Sequence, residues 1–262
     1  MDVQHLLDLS GRVALITGAS GGFGGAAARI LAAAGAQVVL VGRDRGKLSS
    51  LERELGRRAT IVEADVAQAG EAERIVEWAG THAQRLDILV NAAGGATVGG
   101  LSSVSDAMWQ VDIDLKLLGY MRMMRAVAPL MRERGGTMIN VLGLAGHEPY
   151  HWLTVPSVIN AGLLALTKTA ADELAGDHIR VNALNPNAAR TGLGDTMIDD
   201  LARAQGVSSQ VVRDYLAGAT PLGRLADADD VAAAVLFFAS DLSAFITGTS
   251  LTLDGGAHRA IA

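Results

Sequence analysis

The chain has 262 residues, half of them apolar, with 31 glycines, a net charge of −6 and a pI near 5.5. That acidic balance argues against a nucleic-acid partner, which needs a concentrated basic surface. The absence of cysteine excludes disulfides, thiolate metal sites and cysteine nucleophiles. The first twelve residues carry two acids and no apolar run long enough for a signal peptide or a membrane span. A cytoplasmic location without membrane partners is therefore expected, and no metal site is predicted.

Short apolar, β-branched runs at 13–17, 38–41, 60–64, 88–91, 137–142, 180–184 and 250–253 read as strands. Helical periodicity fills the spaces, at about 23–34, 46–56, 69–81, 104–132, 155–175, 208–217 and 227–240. This alternation predicts an α/β fold: a single Rossmann-type doubly wound parallel sheet of about seven strands, with helices on both faces. No linker, repeat or charge block interrupts residues 1–262, so they read as one domain. The least regular stretch, about 187–218, is the natural place for a mobile substrate lid.

The first strand runs directly into Thr17-Gly18-Ala19-Ser20-Gly21-Gly22-Phe23-Gly24 and an alanine-rich helix. A strand, a tight glycine turn and a helix start make an anion site. Unpaired N–H groups and the helix dipole face a pyrophosphate, and glycines let the backbone come close. Glycine clusters also occur in plain tight turns. Here Gly35 ends the helix and a second strand follows, which favours dinucleotide binding.

Gly18, Gly22 and Gly24 have the spacing Gly-x-x-x-Gly-x-Gly. Further along come Asp65-Val66, Asn91-Ala92-Ala93-Gly94, Arg180-Val181-Asn182 with Pro186 to Thr191, and Leu253-Asp254-Gly255-Gly256. In these segments and their order the chain resembles the short-chain dehydrogenase/reductase family over almost its whole length. The resemblance implies that Asp65 and Val66 contact adenine and that Asn91 steadies the central strands beside the cofactor. It also places Thr191 at the nicotinamide carboxamide. With Ser20, Phe23, Ala93, Gly94 and Asn160, these residues and the three glycines form the expected cofactor site.

Cofactor choice turns on Val41-Gly42-Arg43-Asp44. An acid at the end of the second strand binds the ribose 2′-hydroxyl of NAD, whereas arginine accommodates the 2′-phosphate of NADP. Gly42 falls where the acid would stand and Arg43 follows, so NADP(H) is favoured over NAD(H). Asp44 is the alternative, an acid displaced by two residues.

The family's chemistry is a carbonyl–alcohol interconversion, with tyrosine as proton donor, lysine lowering its pKa, serine orienting the substrate and a helical asparagine holding a relay water. Carried over one position at a time, the serine falls on Gly143, the tyrosine on Pro156 and the lysine on Asn160. The asparagine falls on Asp114, although the glycine that should follow comes two residues late. The chain's three tyrosines, Tyr120, Tyr150 and Tyr215, are followed four residues later by Met124, Thr154 and Ala219. No Tyr-x-x-x-Lys exists. Pro156 also suits the first turn of a helix, and Asn160 can hydrogen-bond a ribose hydroxyl but carries no charge.

Tyr150, His151 and Asp114 are the candidate substitutes for the missing donor. A histidine titrates near neutrality, and a carboxyl buried near the cofactor could relay protons. His147, Glu148 and Trp152 share the loop of Tyr150 and read equally well as packing or surface residues. The expected function is an NADP(H)-dependent oxidoreductase acting on a carbonyl or hydroxyl group of a small-molecule substrate with a non-standard proton donor. The alternatives are a non-redox catalyst on the same fold (isomerase, cyclase or lyase) and a non-catalytic assembly subunit. A homodimer or homotetramer is implied by the resemblance, through the helices at 104–132 and 155–175 with Leu163, Leu164 and Leu166 as apolar surface.

Overall fold

Alternating destinations of neighbouring side chains build the sheet. The computed structural model describes residues 3–83 and 85–259. In β1 (Val13–Thr17), Ala14 and Ile16 join one apolar cluster, while Val13 and Leu15 join another on the opposite face. In β2 (Gln37–Gly42), Val38 and Leu40 go one way, Val39 and Val41 the other. Both faces are covered, which is why these strands read as continuous apolar runs. The remaining strands are β3 (Ala59–Glu63), β4 (Ile88–Asn91), β5 (Gly136–Val141), β6 (Ile179–Pro186), the two-residue β7 (Ala189–Arg190) and β8 (Ala226–Asp227), and β9 (Ser250–Leu253). Seven form one sheet in the order β3-β2-β1-β4-β5-β6-β9, and every pairing is parallel. The predicted Rossmann-type doubly wound sheet is the observed one.

The helices are α1 (Val3–Leu7), α2 (Gly22–Ala33), α3 (Arg45–Leu55), α4 (Glu71–Ala83), α5 (Asp106–Asp112), α6 (Gly119–Met131), α7 (Thr154–Leu174), α8 (Gly192–Gln205), α9 (Ser209–Gly218) and α10 (Ala228–Ala239). Leu31 of α2 and Val235 of α10 pack on one face of the sheet. Ile75 of α4 and Met123 and Val127 of α6 pack on the other. Among the described residues no helix is long and apolar enough to cross a membrane.

Three expectations are corrected. The single helix read over 104–132 is broken by a π turn, Ile113–Leu118, between α5 and α6; the polar residues Asp112 just before it and Asp114 and Lys116 within it obscure the change of register. The stretch 187–218 is more regular than expected: α9 matches the helix read at 208–217, but α8 precedes it where no helix was read. Gly192, Gly194 and paired aspartates lower its helical propensity, but Thr191 caps α8 at its start and Gly206, with φ of 68°, ends it. Leu163 is core and not surface: it is fully buried against Tyr120 and Ile159, while Met108, Val111, Leu130 and Val158 are the large apolar side chains these helices expose.

The chain leaves β1 for β2 and β3, then returns to β4 on the other side of β1. A crevice opens at the carboxyl ends of β1 and β4, where ligands bind in sheets of this kind. At the amino ends the same two strands are clamped. The Val13 amide donates to Asp87 Oδ2 at 2.8 Å, the Asp87 amide donates to the Val13 carbonyl at 2.9 Å, and Arg85 Nε holds the carboxylate at 2.9 Å. Asp87→Ala strands the buried Val13 amide and should lower stability by about 1–3 kcal/mol in urea unfolding. Ligand binding at the opposite ends of the strands should be unchanged.

Candidate active site

Three glycines shape the crevice. Gly18 has φ of 66°, and a Cβ there would lie 2.6 Å from the Ala92 carbonyl oxygen. A Cβ on Gly24 would come within 2.3 Å of the Gly18 carbonyl oxygen, and one on Gly22 within 2.6 Å of Thr191 Cγ2. Each contact is too close for any side chain. Thr17 Oγ1 accepts from the amides of Ala92 and Ala93 at 3.1 and 3.4 Å, tying the ends of β1 and β4 together. α2 then begins at Gly22 with Gly21 as its N-cap and no side-chain cap, so its first N–H groups face the crevice. Such a terminus accepts an anion.

Next to this cradle lies the end of β2. A Cβ on Gly42 would lie 3.0 Å from Ser20 Oγ, so an acid there would crowd Ser20. Arg43 follows with its side chain 68 % exposed and its Nη1 3.8 Å from Asp65 Oδ2. Asp65 also accepts from the Ala67 amide at 3.1 Å, and Val66 is buried behind it. Asp44 caps α3 by accepting from the Lys47 amide at 3.0 Å, a bond that holds its carboxyl below the usual range.

The crevice continues into a cavity of about 270 Å³ at the carboxyl ends of β4, β5 and β6. Phe23, Gly94, Asn160 and Thr191 line it, with Gly143, Pro156, Tyr150 and Trp152, and α8 and α9 close it with Leu193, Met197, Tyr215 and Leu216. Gly143 and Asn160 touch: a Cβ at 143 would lie 3.0 Å from Asn160 Nδ2. Asn160 is buried and its Oδ1 has no protein partner. Behind the wall, Asn91 Nδ2 donates to Asn140 Oδ1 and Asn140 Nδ2 to Thr167 Oγ1, both at 3.0 Å.

The three candidate donors separate. Tyr150 lines the cavity, but its hydroxyl donates to Glu148 Oε2 at 3.3 Å; burial pushes it up to about 12, with the Glu148 carboxylate adding to the effect. His151 is exposed and is not among the residues lining the cavity; its carbonyl accepts from Thr154 Oγ1 at 3.3 Å. Asp114 also lies off the cavity wall, accepting from Gln110 Nε2 at 2.9 Å and lying 3.8 Å from Arg122 Nη2. The π turn rotates it outward. Of the neighbouring loop residues, Glu148 is held instead by the C-terminal segment, with His258 Nδ1 2.6 Å from its Oε1.

The residue that the π turn carries inward is Lys116. It is buried, lines the cavity and donates from Nζ to the Leu142 carbonyl oxygen at 2.9 Å. Burial lowers its pKa to about 8, opposed by the nearby Asp112 carboxylate. The sequence did hold a signal for it. Gly119 stands three residues after Lys116, the asparagine-to-glycine spacing that Asp114 misses by two.

The sequence family described as Enoyl-(Acyl carrier protein) reductase matches residues 18–258. Nodulation protein G of Rhizobium meliloti is 34% identical over 252 residues, covering 96% of this chain and 98% of the relative. The 3-oxoacyl-(acyl-carrier-protein) reductase FabG of Thermotoga maritima is 31% identical over 252 residues, covering 95% and 98%. The crystal structure of a gluconate 5-dehydrogenase from Burkholderia cenocepacia, in complex with NADP and tartrate, superposes with a TM-score of 0.90 at 30% identity, covering 99% of this chain and all of that one. The chain belongs to the short-chain dehydrogenase/reductase family.

Within this short-chain dehydrogenase/reductase fold, a buried lysine at 116 carries a measurable consequence. Its folded-state pKa, about 8, lies below the ordinary 10.5, so the unfolded chain binds that proton more tightly between the two values. Stability relative to Lys116→Met should therefore be lowest below pH 8 and rise towards pH 10.5, by up to about 3 kcal/mol. Urea unfolding of both proteins across that range checks it; a constant difference would contradict the desolvated ammonium.

Proposed function

We propose that this chain is an NADP(H)-dependent oxidoreductase that interconverts a carbonyl and a hydroxyl group on a small molecule, with a proton donor other than a tyrosine–lysine pair. The observation that carries this reading is the continuity of the glycine cradle with the largely apolar cavity: Phe23 and Thr191 belong to the cradle's rim and also line the cavity wall. A bound nicotinamide cofactor would supply hydride chemistry at that junction. The start of α2 would hold its pyrophosphate, Val66 and Asp65 its adenine, and Thr191 its carboxamide.

Asn160 fits the same arrangement, since its unpaired Oδ1 can accept a hydrogen bond from a ribose hydroxyl. Gly143, Pro156 and Asn160 all line the cavity, and none of them can give up a proton near neutrality. The relative named as a 3-oxoacyl-(acyl-carrier-protein) reductase and the NADP-bound gluconate 5-dehydrogenase support carbonyl chemistry and NADP. Arg43 supports the phosphorylated cofactor independently. Its guanidinium is exposed beside Asp65, and Asp44, the displaced acid, is engaged as a helix cap. α8 and α9, which close the cavity, would serve as its lid.

Titration of the purified protein with NADPH and NADH, followed by cofactor fluorescence, tests this. NADPH should bind at least tenfold tighter than NADH. Arg43→Ala should weaken NADPH by about tenfold or more, the loss of a charge-assisted bond, and leave NADH unchanged. Failure of either cofactor to bind would remove the redox reading in favour of a cofactor-free catalyst or an assembly subunit.

A further inference from the structure

The chain has three lysines, and two of them are ordinary. Lys47 and Lys168 are exposed and pair with Asp44 at 3.6 Å and Asp172 at 2.9 Å. Lys116 differs in every respect. It lies in the π turn Ile113–Leu118, a widened turn of a kind that recurs at functional sites. An ammonium has three N–H groups, and that of Lys116 uses one, on the Leu142 carbonyl; it has no second acceptor among the described residues. A buried charge with donors left over is costly unless another group completes its shell.

The walls around it are cut away. A Cβ on Gly94 would lie 3.9 Å from Nζ, and Gly143 directly follows the carbonyl that Lys116 holds. Lys116 is the only cation among the described residues lining the cavity. The other titratable groups there are the three tyrosines. Tyr120 donates to the Val141 carbonyl at 2.9 Å and is pushed up by burial; Tyr150 is engaged by Glu148; Tyr215 is largely exposed on α9. On its own helix Lys116 faces Asp112, whose Oδ2 accepts from the Thr97 amide at 3.4 Å.

We propose that Lys116 is the proton donor of the reaction, binding the substrate's carbonyl oxygen through its free N–H groups. This rests on the oxidoreductase reading above. A bound reduced nicotinamide would supply a hydride to the carbonyl carbon, and the electron pair of the broken C=O π bond would move onto oxygen. An N–H proton of Lys116 passes to that oxygen, an alcohol forms, and the neutral amine regains its proton from water. In the oxidative direction the neutral amine takes the hydroxyl proton. A pKa lowered to about 8 keeps both forms accessible near neutrality. Apart from Lys116 the described lining is largely apolar and carries no formal charge, so it favours a substrate whose body is apolar and uncharged.

Three lysines make the test direct. Protein labelled with ¹³C at lysine Cε is followed by NMR, the Lys116 signal being the one lost in Lys116→Met. That signal should titrate near pH 8 and shift on addition of cyclohexanone or acetophenone in the presence of NADP⁺. With NADPH and either ketone, Lys116→Met and Lys116→Arg should bind NADPH as the wild type does while kcat falls by about 10²–10⁴. Arginine keeps the charge but does not release its proton. A basic limb near pH 8 in the wild-type reductase profile is also expected.

Wild-type turnover in folded, NADPH-binding Lys116→Met would overturn the proposal, as would a Lys116 signal that neither ketone moves. Borohydride trapping of either ketone on Lys116, read as a mass increase, would also overturn it, because the amine would then be acting as a nucleophile. If NADPH fails to bind while ketones still shift the Lys116 signal, the oxidoreductase reading falls and Lys116 remains the carbonyl-binding group.

Discussion

Close packing of backbone on backbone at the carboxyl ends of β1 and β4 is the constraint on which the rest of the site depends. The turn after β1 presses against the segment after β4 so tightly that a single methyl group at Gly18 would overlap the Ala92 carbonyl. The same turn folds onto itself at Gly24 and receives Thr191 at Gly22. These contacts fix where α2 begins, and therefore where its unpaired N–H groups point. They also bring β6's following segment, with Thr191, over the crevice. The large apolar investment in the sheet holds this geometry: both faces of β1, β2 and β4 are buried.

Much of this was legible in the sequence because of its physical cause. Strands covered on both sides must be apolar at nearly every position, so their order and number stand out. A strand, a glycine turn and an alanine-rich helix in succession likewise leave few alternatives. The features that escaped are those in which local pattern and three-dimensional direction part company. The π turn inserts extra backbone between α5 and α6, so Asp114 turns to Gln110 and Arg122 while Lys116 turns inward. Adjacent residues diverge in the same way at Tyr150 and His151, one lining the cavity and the other exposed. Asp44 takes a role as the cap of α3 that the sequence reading did not assign.

The site's polar groups follow a consistent logic. Where the sheet interior carries asparagines, they are linked to one another and to Thr167. Three buried Oδ1 atoms have no hydrogen-bond partner among the described residues, those of Asn91, Asn160 and Asn185, and of these Asn160 belongs to the cavity wall. Charge is rarer still: one ammonium, on a backbone carbonyl, beside two glycines. A buried cation with spare donors in an apolar pocket is poor structural glue and a good partner for an oxygen that gains negative charge. The absence of side chains at Gly94 and Gly143 has the complementary effect of leaving that oxygen room.

Hydrogen–deuterium exchange, with and without saturating NADPH, tests the central claim most directly. If the glycine cradle seats the dinucleotide, amides in 18–24 and 91–94 should slow markedly on addition of NADPH, while those around Asp87 at the opposite ends of the strands stay unchanged. Unaltered exchange in both cradle segments under saturating NADPH would contradict the account.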